Sequence, residues 1–510
     1  MRLDRAKNGM RNIFWGLISK VVSLLFPFAI RTVMVQTLGA EYLGLNSLFT
    51  SILTVLNLAE LGFSTAVVFN MYKPIAENDK DTICALMNFY RKAYFVVGLV
   101  VLAVGLIMIP VLPYFVHGSY PANLDIVSLY ILFLMNSAVS YFLFAYRGAI
   151  LSAYQREDVV SKVNIVLRIL MYSLQIASLI IWKDYYLFVV LMVVNTILTN
   201  VVIAYWSKRM FPEYKCKGEL SKSLKSNIKR NIGGLMIGKV CLVSRNSFDS
   251  IFLSIFLGLT TVALYGNYYY IMNAVCGVLI LLLNSMAAGI GNSIAMESEK
   301  KNYEDMKILV FLYSWISAWC MTCLFNLYQP FMTIWMGSDM LFPISYVALF
   351  CLYFYFLTMG DVRSQYASGA GLFWENRKYV IAEACANIVL NFILGKYFGV
   401  PGIICATLIT ILCINFFWGS AVLFKHYFKH HSVFEFYKMH FKYLAAALLA
   451  AGCTYLVTMN IVLDPMLELI ADFFVCCVVP NIVLLVFHAR SQEFKNAVVF
   501  LRQRLFVSKK

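Results

Sequence analysis

Charged side chains are scarce in this chain. Only 13% of its 510 residues are Asp, Glu, Lys or Arg, against about 25% in a soluble domain. With 61% apolar residues and a mean hydropathy of +0.75, too little polar surface exists to cover a water-facing exterior. A string of soluble domains is thereby excluded, and a polytopic membrane protein remains. Disulfide and zinc spacings are missing as well: the 13 cysteines fall mostly in apolar runs and read as small reduced hydrophobes. Cys320 and Cys323 form a CxxC in an apolar stretch without partner ligands, which is packing. His426, His430, His431 and His440 cluster in a basic stretch with no carboxylate pattern, which favours interfacial contacts over a metal site. There is no HExxH and no GxSxG. Gly233 to Lys239 matches GxxxxGK, but Val240 stands where Ser or Thr would hold magnesium, and no strand precedes it. No metal, no cofactor and no ATP hydrolysis are expected.

What is present is a long series of apolar runs of about 20 residues, each long enough to cross a bilayer as a helix. They fall near 12–36, 43–69, 93–116, 125–147, 163–182, 186–206, 232–256, 262–289, 308–330, 342–362, 379–397, 401–424, 443–462 and 467–488, which predicts about 14 transmembrane helices. The first is too long for a signal-peptide apolar core and has no small-residue cleavage site. Pro27 predicts a kink in it. Of the 42 Lys and Arg, 35 fall on one side of this arrangement, only Lys183 and Lys396 on the other, and five inside spans. Such a bias would collapse if one span were miscounted in mid-chain. It predicts cytoplasmic termini and an even number of spans. The net charge of +16 thus belongs mainly to a cytoplasmic rim facing anionic headgroups, and no nucleic-acid partner is expected. In Glu219–Arg230, Leu220, Leu224 and Ile228 recur one turn apart among lysines. In the tail, Phe494, Val498, Leu501 and Leu505 do so among Lys495, Arg502 and Arg504. Both read as interfacial amphipathic helices.

One internal repeat is visible. A shift of 219 places Arg11-Asn12-Ile13 on Arg230-Asn231-Ile232, Ile18, Lys20 and Val21 on Ile237, Lys239 and Val240, and Leu38-Gly39 on Leu257-Gly258. Helix 1 thus matches helix 7, so the repeat is parallel, as in transporters built of two six-helix halves around a central path. The predicted division is an N-terminal six-helix lobe at 1–206, a basic linker at 207–231, a second lobe at 232–424, helices 13 and 14 within 425–488, and a basic tail at 489–510.

Lys20, Arg31, Arg168, Lys239 and Arg245 lie inside spans, where each cation costs about 2.5–3.5 kcal/mol on insertion scales. They therefore need a wet cavity or partners. Lys20 and Lys239 occupy matching repeat positions without an obvious local acid, so both are read as cavity-lining. Arg31 lies three turns above Lys20. The acids Glu60, Asp249 and Glu383 are candidates for charge tuning or ion coupling. Arg245 with Asp249 and Arg31 with Glu60 could also be simple structural pairs, and Arg168 could snorkel to the rim. The cation excess suits an anionic substrate group, most simply phosphate or diphosphate.

Two blocks resemble a known family. LGAEYLGLNSLFTSILTVLNLAELGFSTAVVFNMYKPIAENDKD (Leu38–Asp81) and GAGLFWENRKYVIAEACANIVLNFILGKYFGV (Gly369–Val400) are similar to bacterial polysaccharide transporters. That family, of the multidrug/oligosaccharidyl-lipid/polysaccharide exporter superfamily, flips lipid-linked oligosaccharides for capsule, O-antigen or exopolysaccharide. The resemblance extends over nearly the whole chain. It implies an all-α fold of two six-helix lobes plus two C-terminal helices around a V-shaped cavity, in a bacterial plasma membrane. It implies a substrate of undecaprenyl-diphosphate-linked glycan, moved by alternating access, with membrane lipids and polysaccharide assembly proteins as further partners. Arg31 and the cations of helices 1 and 7 carry over as cavity residues. A cation-coupled drug exporter of the same superfamily is the first alternative, although exporters of cationic drugs favour acids in the cavity. A glycan-processing enzyme is the second, although short outer loops leave it no place for catalytic residues.

Overall fold

The computed structural model describes residues 5–57, 63–116, 120–121, 123–222, 224–225, 228, 243, 245, 247–461 and 463–507. Every regular element among them is helical. In chain order these are α1 (Arg5–Thr37), α2 (Ala40–Leu56), α3 (Phe63–Glu77), α4 (Lys80–Phe115), α5 (Ile126–Phe142), α6 (Ala145–Ala153), α7 (Glu157–Trp182), α8 (Tyr185–Met210) and α9 (Ser247–Leu257). They continue as α10 (Leu259–Met296), α11 (Glu299–Met336), α12 (Ile344–Met359), α13 (Asp361–Gly369), α14 (Phe373–Phe398), α15 (Val400–His426), α16 (Val433–Thr458), α17 (Pro465–His488) and α18 (Gln492–Val507). Among the described residues 11 helices are long and apolar enough to cross a membrane, or up to 12 with α5 and α6 taken as one span bent by 46°. The protein is an all-helical integral membrane protein. Of the 14 expected spans, helix 7 at 232–256 falls largely outside the described residues, and helix 2 at 43–69 meets a gap at 58–62 between α2 and α3. α1 continues through Pro27.

The helix starts follow from local chemistry. Asp79, Asp125 and Asp184 each accept from backbone amides of the first turn, at 2.8–3.2 Å, satisfying donors that have no partner inside the helix. Breaks come where the backbone leaves the helical region: Lys183 (φ 50) ends α7, and Gly399 (φ 63) separates α14 from α15. The repeat has a structural counterpart. Gly39 (φ 114) and Gly258 (φ 85), which the 219-residue shift superposes, both adopt positive φ, and each is followed at once by a new helix. A side chain is strained there, which explains the glycine at both junctions.

The Asp125 cap makes a measurable prediction. The Ser128 hydroxyl and backbone amide hold this carboxyl below its ordinary value of 3.8, so the cap is complete above that value and fades as pH falls through the lowered one. Asp125→Ala should lower the melting temperature in detergent at neutral pH. The difference from wild type should stay constant down to about pH 4 and close below it. A difference persisting in strong acid would contradict the assignment.

The chain forms two compact units, Met1–Ala263 and Leu264–Lys510. This division falls one helix later than the division drawn from the repeat. In the first unit α1 lies along α7, α7 along α8, α8 along α5, and α5 along α4. Phe49 of α2 packs on Tyr130 and Phe133 of α5. Polar rungs join α5 to α8, with Thr196 Oγ1 donating to Asn136 Oδ1 (2.7 Å) and Asn200 Nδ2 to Ser140 Oγ (3.4 Å). Lipid is as apolar as these helices, so close packing and such rungs hold the unit together. In the second unit α11 is central, flanked by α12, α16, α17 and α18, while α14 packs on α15. Trp319 Nε1 donates to the Cys476 carbonyl (2.8 Å), and the Cys323 thiol faces the same carbonyl.

One expectation about the rim is corrected. The apolar stripe after Glu219 is not laid on lipid: Leu220 and Ile228 are buried, and Gly218 accepts from Asn88 of α4. In the tail helix Phe494 stacks on Trp315 of α11, while Val498 of the same stripe stays 47% exposed. Periodicity locates an apolar face but cannot say whether protein or lipid covers it.

Candidate functional site

The candidate site is built on α1. Lys20 and Arg31 are eleven residues apart, which is three turns and about 16 Å of rise, so they share one side of the helix. Lys20 is exposed, whereas Arg31 is partly buried and engaged. Between them in height lies Ser23, and Arg168 of α7 hydrogen-bonds its hydroxyl through Nη1. Phe26 of α1 meets Tyr172 of α7 with ring centroids 5.5 Å apart, which holds the two helices in register above that bond. Arg168 therefore does not simply snorkel to the rim. Of the five expected cations, Arg168 thus reaches α1 at the α1/α7 seam, and Lys20 and Arg31 share one side of the same helix.

The foot of the same seam is more elaborate than the sequence suggests. Asp158, at the start of α7, is fully buried. Its carboxylate takes Arg11 Nε at 3.1 Å, Arg156 Nε at 2.9 Å and Lys162 Nζ at 3.5 Å. Asn12 seals the joint, accepting from the Asp158 amide (2.9 Å) and donating to the Gln155 carbonyl (3.0 Å). The contacts of Arg11 and Asn12 cross more than 140 residues of sequence, so no local pattern announces them.

Arg245 and Asp249, four residues apart, are both buried, at 9% and 1% exposure. Lys239 and Glu60 lie outside the described residues, and so does the GxxxxGK stretch. Glu383 is buried in α14 and accepts from Asn415 Nδ2 at 2.7 Å. Asn415 lies on a π-helical stretch, Thr410–Trp418, within α15. Its Oδ1 takes a hydrogen bond from Arg363 Nη2 (2.8 Å), and the guanidinium sits 5.6 Å from the Tyr379 ring.

Arg363 requires a correction. Its place in the sequence puts it on the cytoplasmic rim, because the apolar run stops near Asp361. In the structure it is 1% exposed, inside the span Ile344–Gly369. A second helix, α13, follows the apolar run directly after Gly360 and turns Arg363 inward, while Ser364 and Ser368 stay exposed, so a hydropathy average scores this stretch as an end. His440, expected with the rim histidines, is also buried, with Nδ1 3.0 Å from the Phe436 carbonyl. His430 pairs with Glu299 (2.9 Å) and His431 stacks on Tyr303 (3.9 Å). The histidines thus take separate partners, and among the described residues no group of three His, Cys, Asp or Glu could hold a metal.

The family described as "Polysaccharide biosynthesis protein" matches residues 10–288, more than half of the chain and the whole α1/α7 seam. The chain belongs to that family. No protein of curated function matches it by sequence. Among solved structures, the lipid II flippase MurJ in an inward closed conformation is similar, with a TM-score of 0.66 and 14% identity over 94% of this chain and 98% of that one. An inward-facing multidrug resistance MATE transporter of the MOP superfamily has a TM-score of 0.60 and 15% identity, covering 78% and 94%. A mutant of the Vibrio cholerae MATE transporter VcmN has a TM-score of 0.57 and 11% identity, covering 86% and 98%. This polysaccharide biosynthesis protein has the fold seen in these flippase and drug-exporter structures.

Proposed function

We propose that the protein is a flippase that carries polyprenyl-diphosphate-linked oligosaccharide from the inner to the outer leaflet of a bacterial plasma membrane. It would work by alternating access, with both termini on the inner side, in the synthesis of a cell-surface polysaccharide such as capsule, O-antigen or exopolysaccharide. The observation that carries this reading is the contact of Arg168 with Ser23 of α1, the helix that carries Lys20 and Arg31 on one side, within the stretch that matches the family, and the three cations are read as one stripe. Three cations at membrane depth need an anion or water, and a diphosphate head supplies multivalent negative charge while its lipid tail stays in the bilayer. Arg245 would complement the stripe, with Lys239 at the matching repeat position. Asp249, Glu383 and Glu60 tune these charges or respond to a coupling ion.

Proteoliposomes holding a fluorescent polyprenyl-diphosphate oligosaccharide test the reading. Exposure of the probe to a membrane-impermeant quencher should rise faster with the protein than in empty liposomes. Equal rates for several glycans, with pH or sodium gradients imposed, would defeat it. The likeness to MATE structures supports one rival, a cation-coupled drug exporter. It predicts instead drug resistance on expression, with no binding of lipid diphosphates.

A further inference from the structure

The foot of the α1/α7 seam, around Asp158, is not needed for the stripe itself. We infer that Arg156 and Lys162, held beside Arg11 by the buried Asp158, form a separate loading site for the diphosphate head of a lipid before it reaches Lys20. This rests on the flippase reading and adds a second anion site to it.

The surroundings of these two cations support the assignment. Asp158 is 1% exposed, but the side chains around it are open, Arg156 at 30% and Lys162 at 45%. Arg156 directs Nε and Nη2 to Asp158 at 2.9 and 3.5 Å. Lys162 makes a long contact of 3.5 Å to the carboxylate and lies 4.9 Å from the centre of the Trp15 ring. The nearby acid Glu157 hydrogen-bonds the Ser152 hydroxyl. A buried carboxylate thus holds two partly exposed cations in fixed positions, which lowers the ordering cost of binding an anion. Trp15 marks the level where aromatic rings meet headgroups. Depth provides the direction of travel. Lys162 touches Trp15, and Arg168, six residues further along α7, touches Ser23, eight further along α1. The two helices rise together, so Lys20 and Arg168 lie about 10 Å deeper than Arg156 and Lys162, and the six residues from Lys162 to Arg168 turn these side chains about 120° apart on α7, so the head has to pass around the helix between the two levels.

The test measures binding of a short-chain isoprenyl diphosphate to the full-length protein in zwitterionic nanodiscs. Arg156→Gln/Lys162→Gln should weaken binding about tenfold, the loss of one or two charge-assisted contacts. Arg377→Gln/Lys378→Gln removes the same charge elsewhere on the basic rim and should change binding less than about twofold. Asp158 keeps Arg11 in the double variant. Lys162→Gln alone, with an unchanged melting temperature and a loss of about threefold, guards against misfolding. Inorganic diphosphate should compete with the probe, and phosphatidylglycerol should not. Equal weakening by both double variants, no weakening by Arg156→Gln/Lys162→Gln, or equal competition by phosphatidylglycerol would overturn the loading site. If wild type fails to bind the probe at all, the diphosphate reading of the function falls and the loading site with it. If wild type binds and Arg156→Gln/Lys162→Gln binds as well, only the loading site falls.

Discussion

Arg363→Leu should sharply reduce the folded yield in detergent, with a loss of about 3–5 kcal/mol, the range for breaking a buried charged network at one partner. The variant removes the bonds to Asn415 and Ser364 and the cation that balances Glu383, in a site sealed from water. Gly419→Ala tests the same slot from its wall, because a Cβ there would collide with Arg363 Nη1 and the guanidinium would have to move. Arg363→Met combined with Glu383→Gln should recover at least half of the loss, since a neutral pair strands no charge. The check is the melting temperature of the purified protein, monitored by tryptophan fluorescence and gel filtration. Wild-type melting of Arg363→Leu would mean that the network is incidental.

Lys20→Gln should lower flipping efficiency by tenfold or more while leaving the fold intact, and Lys20→Arg should retain most of it. The reason is that α1 exposes this lysine beside apolar neighbours, Leu17 and Val21 at 53% and 52% exposure. A lysine on such a surface faces either lipid or a polar path. In lipid, Lys20→Leu would stabilise the protein by about 2.5–3.5 kcal/mol and leave transport untouched. On the path, it removes a charge-assisted contact to the diphosphate and stability changes little. Melting and quencher-accessibility assays on the same three variants separate the cases. Stabilisation by Lys20→Leu with full transport would remove Lys20 from the site.

Much was legible in the sequence because it depends on neighbours in the chain. The helix breaks at Lys183 and Gly399 fall where the apolar runs were cut. The glycines paired by the repeat, Gly39 and Gly258, share a positive φ. Lys20 and Arg31 share a side of α1 because eleven residues make three turns. Of the paired lysines, Lys20 is the one within the described residues.

Three features depended on residues far apart. Arg168 meets Ser23 across 145 positions, and Asp158 meets Arg11 and Asn12 across a similar span. Arg363 looked like a rim cation because the apolar run ends before it, although packing turns it toward Asn415 and Tyr379. The sequence by itself determined the solvent of this protein, its helical class, several of its helix breaks and the scarcity of charge within its spans. Those follow from transfer free energy and local backbone preference, which act residue by residue. Only the tertiary structure decided which partner each charge found, because an ion pair or hydrogen bond depends on distances that packing sets.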